Sequence, residues 1–311
     1  MLQNAQDGGY AVGAFNANNM ECVQAVIETA EEEQSPVILQ VSQGAIAYAG
    51  LEFATQLVKT AAELATIPVV LHLDHGTDFM QNVKCLRAGF TSLMFDGSTL
   101  DLEENIRVTA KITEIAHSCG IPVEAELGKI PKIEDNLTDE QVAALYADPA
   151  QAHEFVERTG LDSLAAAIGS VHGMKSSIQP LNIDRLDQIR EKTGIPIVLH
   201  GASGVLMSRE AAEEKGIKLK AGEGTLEDAI KHGVSKINVA TEISMAFLRG
   251  MKEAFDKDPS QKDMRKIILP GKKAVKDTVR GYIKLFGSSG KAQRNGIAKS
   301  GLTESAIKYH E

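Results

Sequence analysis

The sequence predicts an α/β fold in which eight parallel strands close into a (β/α)8, or TIM, barrel, with an extra helical segment at its C-terminal end. Short apolar runs alternate with helical patterns along the 311 residues, as is typical of parallel βαβ units. The runs are almost continuously apolar, which indicates strands that are covered on both faces. Eight runs are predicted to be strands: 10–16, 36–42, 68–74, 92–97, 121–128, 163–170, 195–200 and 236–241.

Helical patterns fill the intervals between these runs. Examples are residues 20–33, 55–65 and 103–120, and the last strand is followed by helical patterns near 242–257 and at 272–285. Eight strands fit a closed barrel better than an open sheet, and the chain length is ordinary for such a barrel with insertions. No linker or low-complexity stretch divides the chain. Residues 1–311 are therefore predicted to form a single barrel domain.

The overall composition restricts the classes of partner. The net charge is −9 and the isoelectric point is near 5.5, which argues against nucleic acid as the main partner. No apolar run is long enough to span a membrane, and no basic-then-apolar leader begins the chain, so a cytoplasmic protein without membrane contact is expected. The three cysteines have no paired ligand spacing, which suits a reducing compartment. No chemistry is assigned to them.

Three apolar runs end in a histidine that is followed by glycine. These histidines are His75 in PVVLHLDHGT, His172 in SLAAAIGSVHG and His200 in PIVLHG. In a parallel barrel the C-terminal ends of the strands share one face, which holds the active site. A single histidine at a strand end is more often a packed side chain, but three in one context favour a catalytic zinc with an open coordination position.

The other five histidines receive different interpretations. His72 lies inside a predicted strand, so we expect it to be a core residue or a support for the metal ligands. The remaining four are predicted to be ordinary surface or packing residues: His117, His153, His232 and His310.

Carboxylates accompany the predicted metal ligands. Asp74 directly precedes His75 and is predicted to act either as a general acid/base or as the residue that orients a ligand histidine. Asp96 ends the fourth predicted strand, and Glu124 and Glu126 share one face of the fifth strand. Burying such groups is costly without a metal or hydrogen-bond donors, so at least one of the two glutamates is expected to support the metal site.

Glycine-rich turns follow the late strands and predict a phosphate site. Gly173 follows His172, the turn 201–204 follows His200, and 238–241 leads into a helix. Backbone N–H groups in such turns bind phosphate oxygens, and barrels often bind phosphate at their last two loops. Lys175 is the nearest basic side chain. Glycine also serves in plain tight turns, which remains the alternative.

The lysines argue against imine chemistry. An aldolase that forms a Schiff base needs a lysine at the catalytic end of a strand, and Lys236 is predicted to begin the last strand instead. Metal-assisted polarisation of a carbonyl is the remaining way to activate the substrate.

Two long connections complete the pattern. Residues 129–149 are predicted to be functional or mobile, and residues 202–224 are either a surface excursion or a lid.

Eleven ordered segments resemble the class II, metal-dependent ketose-bisphosphate aldolases, which act on fructose 1,6-bisphosphate or tagatose 1,6-bisphosphate. The resemblance covers essentially the whole chain. It is carried by YAVGAFNANN, PVILQVSQGA, HLDHG, VEAELG, IEDN, YADP, ERTGLDSLA, GSVHG, VLHGASG, KINVATE and FGSSGKA.

The resemblance implies specific roles for the residues that match. His75, His172 and His200 correspond to ligands of zinc, which cobalt or iron could replace. Asp74 corresponds to the acid/base that exchanges a proton with the C4 hydroxyl, and Glu134 to a mobile carboxylate that moves the proton at the enediolate carbon. Asp96 and Glu126 correspond to carboxylates that support the metal or form an alternative site. Substrate or phosphate contacts fall on Gly173, Gly201, Ser203, Asn238, Thr241, Asn16 and Ser42.

The resemblance also implies partners and products. Fructose 1,6-bisphosphate would be cleaved to dihydroxyacetone phosphate and glyceraldehyde 3-phosphate, a Na⁺ or K⁺ ion would bind near Gly173, and the chain would form a homodimer or homotetramer. Ile130 and Pro131 replace a glycine-rich loop of many relatives, and Lys175 lies one residue closer to the VHG segment than usual, which weakens its assignment to phosphate. Ala240 is common among tagatose-type members.

Several alternatives remain at this point. Specificity for tagatose 1,6-bisphosphate, or for both sugars, is an alternative to the fructose assignment. A metal-dependent barrel hydrolase is more remote, because its usual His-x-His on the first strand is replaced by FNAN. A non-catalytic sugar-phosphate binder would not need Asp74 or Glu134.

Overall fold

Eight parallel strands form a nearly closed barrel in the computed structural model, which describes residues 1–132, 135, 137–172 and 180–292. Around the barrel the strand order is β3-β2-β1-β10-β8-β6-β5-β4, and two bridges, His72 to Ser92 and Gly76 to Phe95, connect β3 with β4. The barrel strands are β1 (Val12–Asn16), β2 (Val37–Ser42), β3 (Val69–Asp74), β4 (Leu93–Phe95), β5 (Val123–Leu127), β6 (Ser163–Ala166), β8 (Ile197–Leu199) and β10 (Val234–Val239).

A second, two-stranded antiparallel ribbon lies outside the barrel. It pairs β7 (Leu181–Asn182) with β9 (Glu223–Gly224). The ribbon attaches the end of the 202–224 excursion to the start of a helix, because Ile183 N also donates to the carbonyl oxygen of Gly222 at 2.8 Å. The excursion is therefore fixed to the body of the protein at its far end.

Helices connect consecutive strands and form the outer layer. Asn19, Asp78 and Asp101 each accept a backbone N–H in the first turn of the helix that they precede. Such caps contribute about 1 kcal/mol each. The helices are α1 (Leu2–Gly8), α2 (Met20–Glu32), α3 (Gln43–Ala49), α4 (Leu51–Leu64), α5 (Phe79–Ala88), α6 (Leu102–Ser118), α7 (Asp139–Ala143), α8 (Pro149–Thr159), α9 (Ile183–Thr193), α10 (Arg209–Glu214), α11 (Leu226–Lys231), α12 (Thr241–Lys257) and α13 (Met264–Leu285).

The main apolar core lies between the strands and the surrounding helices. Its largest fully buried side chains are aromatic: Phe15, Phe90, Phe95, Phe155 and Phe286. Burying each such side chain contributes about 1.5–3 kcal/mol. Polar side chains are buried as well, on β2, β3, β5 and β10: Gln40, His72, Glu124 and Lys236. These polar groups need partners, and the contacts that satisfy them connect the barrel to the site.

The predicted barrel is confirmed, and the differences lie at element ends. The strand predicted at 163–170 stops at Ala166, whose partner Leu127 is the last residue of β5. The strand predicted to begin at Lys236 begins at Val234, so the prediction that this lysine starts the strand is wrong. It lies in the middle, with its side chain buried. The final helix starts at Met264 and includes Pro270.

The last helix, α13, packs on α12 and along α2. Lys272 forms an ion pair with Glu28 at 2.5 Å, Lys276 forms one with Glu32 at 2.8 Å, and Arg280 also contacts Glu32. Such partly exposed pairs contribute about 0–1 kcal/mol each. Close contact between α12 and α13 depends on Gly250, because the carbonyl oxygen of Pro270 lies where a side chain at this position would be. In the described part of the chain, no helix is both long and apolar enough to cross a membrane.

Replacing Gly250 with alanine is expected to destabilise the protein without affecting the site. The new Cβ would lie 2.5 Å from the carbonyl oxygen of Pro270, so the two helices must separate. Overpacking of this kind costs about 1–3 kcal/mol. The measurement is the free energy of unfolding from urea titration.

Gly281→Ala is the matched control for this prediction. Gly281 is an exposed residue of α13, and a Cβ there meets no atom within 4 Å. Better helix propensity predicts a gain of about 0.5–1 kcal/mol. Equal stability changes in the two variants would contradict the assigned helix contact.

Candidate metal centre and active site

Three histidines converge at the C-terminal end of the barrel. His75 follows β3, His172 follows the apolar segment after β6, and His200 follows β8. The ring centroids are 4.7 Å apart for His75 and His200, 5.4 Å for His75 and His172, and 6.1 Å for His172 and His200. The structure thus brings together the three side chains that the sequence singles out.

Glu126 joins the three histidines in a group that fits a metal ion. One ligand atom from each of the four residues lies within 4.8 Å of the others. His200 Nδ1 and Glu126 Oε2 are 3.5 Å apart, and within the described residues neither buried atom has a hydrogen-bond partner. Unpartnered lone pairs of this kind are expected where a cation binds. Three imidazoles and a carboxylate suit zinc, and they suit cobalt or iron as well.

Carboxylates fix the orientation of two of the imidazoles. Asp96 Oδ2 lies 3.1 Å from His75 Nδ1, and Glu124 Oε1 lies 2.8 Å from His200 Nε2. Both carboxylates have pKa values held below the usual range despite burial, Asp96 mainly by His75 and Glu124 mainly by Lys236. An ionised carboxylate can only accept, so these ring nitrogens carry the protons. His75 Nε2 and His200 Nδ1 are left free to bind a metal.

His75 has an unusual backbone conformation. Its φ is 107°, in a region that residues with a side chain rarely adopt. The conformation is held on both sides, because Gln43 Nε2 donates to the His75 carbonyl at 2.8 Å and Gly76 N donates to Met94 O at 3.1 Å. Strain of this kind persists only where neighbouring contacts enforce it, and it often accompanies function.

The charges around the site favour a bound cation. Burial alone would lower the pKa of His75, but the Asp74 and Asp96 carboxylates raise it to about 9. Burial likewise opposes the charged form of His200, and its contacts with Glu124 and Glu126 raise its pKa. Burial and the two neighbouring rings lower the pKa of His172 to about 3. The carboxylates thus favour positive charge at this end of the barrel, and a bound cation would replace the protons on His75 and His200, because a ligand nitrogen must be unprotonated.

Asp74 lies beside the group of ligands with both oxygens engaged. Its Oδ1 accepts from Asn238 Nδ2 at 3.2 Å, and its Oδ2 lies 3.4 Å from Asn16 Nδ2. Asp74 Oδ1 is also 3.5 Å from His75 Nε2. Burial would raise the pKa of Asp74, but the charges of His75 and His200 lower it below its usual value. The side chain is therefore an ionised and oriented carboxylate beside the three histidines and Glu126.

The connection after β5 contacts two members of the metal group. His172 N donates to the Pro131 carbonyl at 2.9 Å, and Ile130 N lies 3.4 Å from Glu126 Oε1. Ile130 and Pro131 are both buried. The residues that depart from the glycine-rich pattern therefore hold the backbone of His172 and the carboxylate of Glu126.

The turn after β8, which is predicted to bind phosphate, contacts the carboxylate of Glu242. Ser203 Oγ contacts Glu242, and Gly204 N donates to Glu242 Oε1 at 3.2 Å. Tyr282 of α13 also hydrogen-bonds to Glu242, and burial together with this carboxylate raises the pKa of the tyrosine. Thr241 is the first residue of α12. Two donors of the turn predicted to bind phosphate, Ser203 and Gly204, thus contact a carboxylate of the protein itself.

Two other predicted substrate residues have local structural contacts. Ser42 caps α3 by accepting from Ala45 N at 3.2 Å. Gly201 has a φ of 61°, and a Cβ there would lie 2.7 Å from the Val171 carbonyl, next to His172. Predictions for Glu134, Gly173, Lys175 and His310 fall outside the described residues.

Several residues around the site were not assigned from sequence. Gln40 Nε2 donates to Asn16 Oδ1 at 2.7 Å and so orients the amide that faces Asp74. Ser98 donates to Asp96 from both its backbone and its hydroxyl. The available signal for Gln40 was a polar residue inside the apolar run PVILQVS. Ser98 lies in ordinary loop sequence, and Glu242 ends the KINVATE segment, for which the resemblance implies contacts at Asn238 and Thr241 but no role for the glutamate.

The sequence also matches a family of known proteins. A family model described as "Fructose-bisphosphate aldolase class-II" matches residues 1–291. Fructose-bisphosphate aldolase of Geobacillus stearothermophilus is 45% identical over 295 residues, which are 94% of this chain and 96% of that protein. Fructose-bisphosphate aldolase of Helicobacter pylori strain 26695 is 41% identical over 299 residues, covering 94% and 97%.

Solved structures agree in fold. The YdjI aldolase from Escherichia coli K12 has a TM-score of 0.76 and 38% identity, with 94% of this chain and 97% of that chain covered. A putative fructose-1,6-bisphosphate aldolase from Coccidioides immitis has a TM-score of 0.78 and 30% identity, with 94% and 96% covered. The chain belongs to the class II fructose-bisphosphate aldolase family, whose members are metal-dependent aldehyde-lyases.

Proposed function

We propose that the protein cleaves fructose 1,6-bisphosphate reversibly to dihydroxyacetone phosphate and glyceraldehyde 3-phosphate, with zinc as its metal. The proposal rests on the position and ionisation of Asp74. This buried, ionised carboxylate lies 3.5 Å from His75, next to a group of three histidines and Glu126. A sugar-phosphate binder would not need a base there. Relatives that share at least 40% of the sequence are named fructose-bisphosphate aldolases.

His75, His172 and His200 would hold the metal, with Glu126 as a further ligand or a support. A divalent cation in this position would polarise the ketose carbonyl and stabilise the negative charge that develops as the C3–C4 bond breaks. The chain supplies the orientation. Asp96 and Glu124 fix the two imidazole tautomers, and Pro131 holds the backbone of His172.

Asp74 would take the proton from the C4 hydroxyl as the C3–C4 bond breaks. Asn16 and Asn238 each direct an amide N–H at one of its oxygens, which fixes the carboxylate while leaving lone pairs for the hydroxyl. Asn238 would also contact the substrate, as the family resemblance implies. Glu134, assigned by the same resemblance, would deliver a proton to the carbon that remains on the dihydroxyacetone phosphate side.

Phosphate binding is assigned to the loops after β8 and β10. Gly201, Ser203 and Thr241 lie there, close to the start of α12, whose first-turn N–H groups favour an anion. Asn16 and Ser42 would flank the sugar from β1 and β2, and Gly173 and Lys175 would complete the site along with a Na⁺ or K⁺ ion. Glu242 must release the Ser203 hydroxyl when phosphate binds there.

Assembly into a homodimer or homotetramer is part of the proposal. Exposed apolar side chains on α12 support it, since Met245, Leu248 and Phe255 recur at helical spacing and are each more than half exposed. Apolar side chains clustered on a surface often mark contacts between proteins.

Removing the metal is expected to abolish cleavage, and zinc is expected to restore it. Fructose 1,6-bisphosphate and tagatose 1,6-bisphosphate are assayed in parallel with and without a chelator. We expect chelator-sensitive cleavage, faster with the fructose substrate. Cleavage that persists after the bound metal has been removed would contradict the three-histidine site, and absence of cleavage with either sugar would contradict the proposed activity.

Asp74→Ala is expected to lower kcat by about 10²–10⁴-fold, the usual contribution of a general base. The metal should remain bound, because none of the four proposed ligand residues is changed. Turnover and metal content of the same preparation provide the measurement. A variant that keeps full turnover would remove Asp74 from the mechanism.

Gly201→Ala is expected to weaken zinc binding. The Cβ would lie 2.7 Å from the Val171 carbonyl and 3.1 Å from His172 N, so His172 and His200 must move apart. Displacing ligands typically lowers metal affinity about 10–100-fold, as loss of their supporting contacts does. Zinc affinity is measured by competition with a chromogenic chelator.

Gly194→Ala is the control, because Gly194 also has a positive φ but a Cβ there meets nothing within 4 Å. It shares the conformational cost and should retain wild-type zinc affinity. Equal loss of affinity in both variants would contradict the proposed contact.

A further inference from the structure

A lysine lies inside the barrel, where water does not reach it. Lys236 is in the middle of β10, and its side chain is 1% exposed. Removing an ammonium group from water is unfavourable unless opposite charges and hydrogen-bond acceptors replace the lost solvent. The partners of Lys236 therefore account for its presence, and they lead to the metal group.

The ammonium group has three acceptors. Lys236 Nζ lies 2.8 Å from Glu124 Oε2, 3.1 Å from Glu124 Oε1 and 3.2 Å from His72 Nε2. A charged lysine has three N–H donors and no lone pair, so these contacts use all of its donors. His72 Nε2 must then be unprotonated, and His72 Nδ1 donates to Ser92 Oγ at 2.8 Å.

Glu124 connects this lysine to a proposed metal ligand. Its Oε1 is shared between Lys236 Nζ and His200 Nε2, which lies 2.8 Å away. The opposite ring nitrogen, His200 Nδ1, faces Glu126 within the metal group. Lys236, Glu124 and His200 thus form a buried chain of contacts that ends at the position of the cation.

We propose that Lys236 is a positioning residue for the metal site. By binding both oxygens of Glu124, it fixes the plane of the carboxylate, and Glu124 in turn fixes the ring and tautomer of His200. Lys236 touches neither the metal position nor the reacting atoms. The inference rests on the proposed metal site, and it concerns the affinity and geometry of the bound cation.

The physical basis is the freedom that Glu124 would have without the lysine. A carboxylate with His200 as its remaining strong partner can rotate, and its buried charge lacks compensation. Loss of the hydrogen-bond partners that hold ligand histidines usually lowers metal affinity about 10–100-fold. His72 adds to the restraint, because it anchors the ammonium group from β3, where its backbone also bridges to Ser92 and helps to close the barrel.

Two variants test the proposal. Lys236→Met removes the ammonium group but leaves Glu124 charged, and this variant can fail to fold. Lys236→Met combined with Glu124→Gln removes both charges, which proteins tolerate better than a broken pair. Glutamine at position 124 retains a carbonyl that can accept from His200, but nothing from β10 fixes its plane.

The readouts are the zinc dissociation constant, from competition with a chromogenic chelator, and the visible absorption spectrum of the Co²⁺-loaded protein. We expect zinc affinity to fall about 10–100-fold in the double variant, with a changed cobalt spectrum because the His200 ring is no longer fixed. Gly250→Ala, which destabilises the protein away from the site, should keep the wild-type values of both.

A double variant that binds zinc as tightly as the wild type and has the wild-type cobalt spectrum would overturn the proposal. Matching losses in Gly250→Ala would also overturn it, since the effect would then follow from stability alone. A wild-type protein that binds no zinc would refute the metal site itself, so failure of the proposed function is distinguishable from failure of this inference.

Discussion

Burial of carboxylates at one end of the barrel is the constraint on which the site depends. Asp74, Glu124 and Glu126 are all nearly inaccessible to water, and desolvating negative charges is costly unless positive charge or hydrogen bonds compensate. Lys236 is the buried lysine in the described part of the chain and balances one of these charges. A divalent cation among the three histidines would balance the other two. The proposed cation would thus lie where buried negative charge is in excess.

The barrel determines which groups meet at that end. Parallel strands deliver Asp74 and His75 from β3, Glu124 and Glu126 from β5, and Lys236 and Asn238 from β10 to the same interior or rim. The period of two residues along a strand places both glutamates on one side, with the first deeper than the second. Glu124 can therefore pair with Lys236 while Glu126 faces the three histidines. The strained backbone of His75 shows that geometry at the rim is maintained against local preference.

Most of the fold and the convergence of the three histidines could be predicted from sequence, because apolar runs mark strands and His-Gly pairs mark their ends. The interior contacts could not. Polar residues interrupt the apolar pattern of VSKINV, so the pattern predicts a strand that starts at Lys236 and misses its first two residues, Val234 and Ser235. Its partner Glu124 is 112 residues away in sequence, and only the closed barrel brings the two together. Composition likewise indicates donors at Ser203, but the contact with Glu242 depends on how the turn after β8 lies against α12.

X-ray absorption spectroscopy at the zinc edge of the zinc-loaded protein tests the proposed three-histidine metal site directly. We expect nitrogen and oxygen ligands around the metal at about 2.0–2.2 Å, with the outer-sphere scattering of three imidazoles. Scattering from sulfur at about 2.3 Å, or an oxygen-only shell without imidazole scattering, would contradict it.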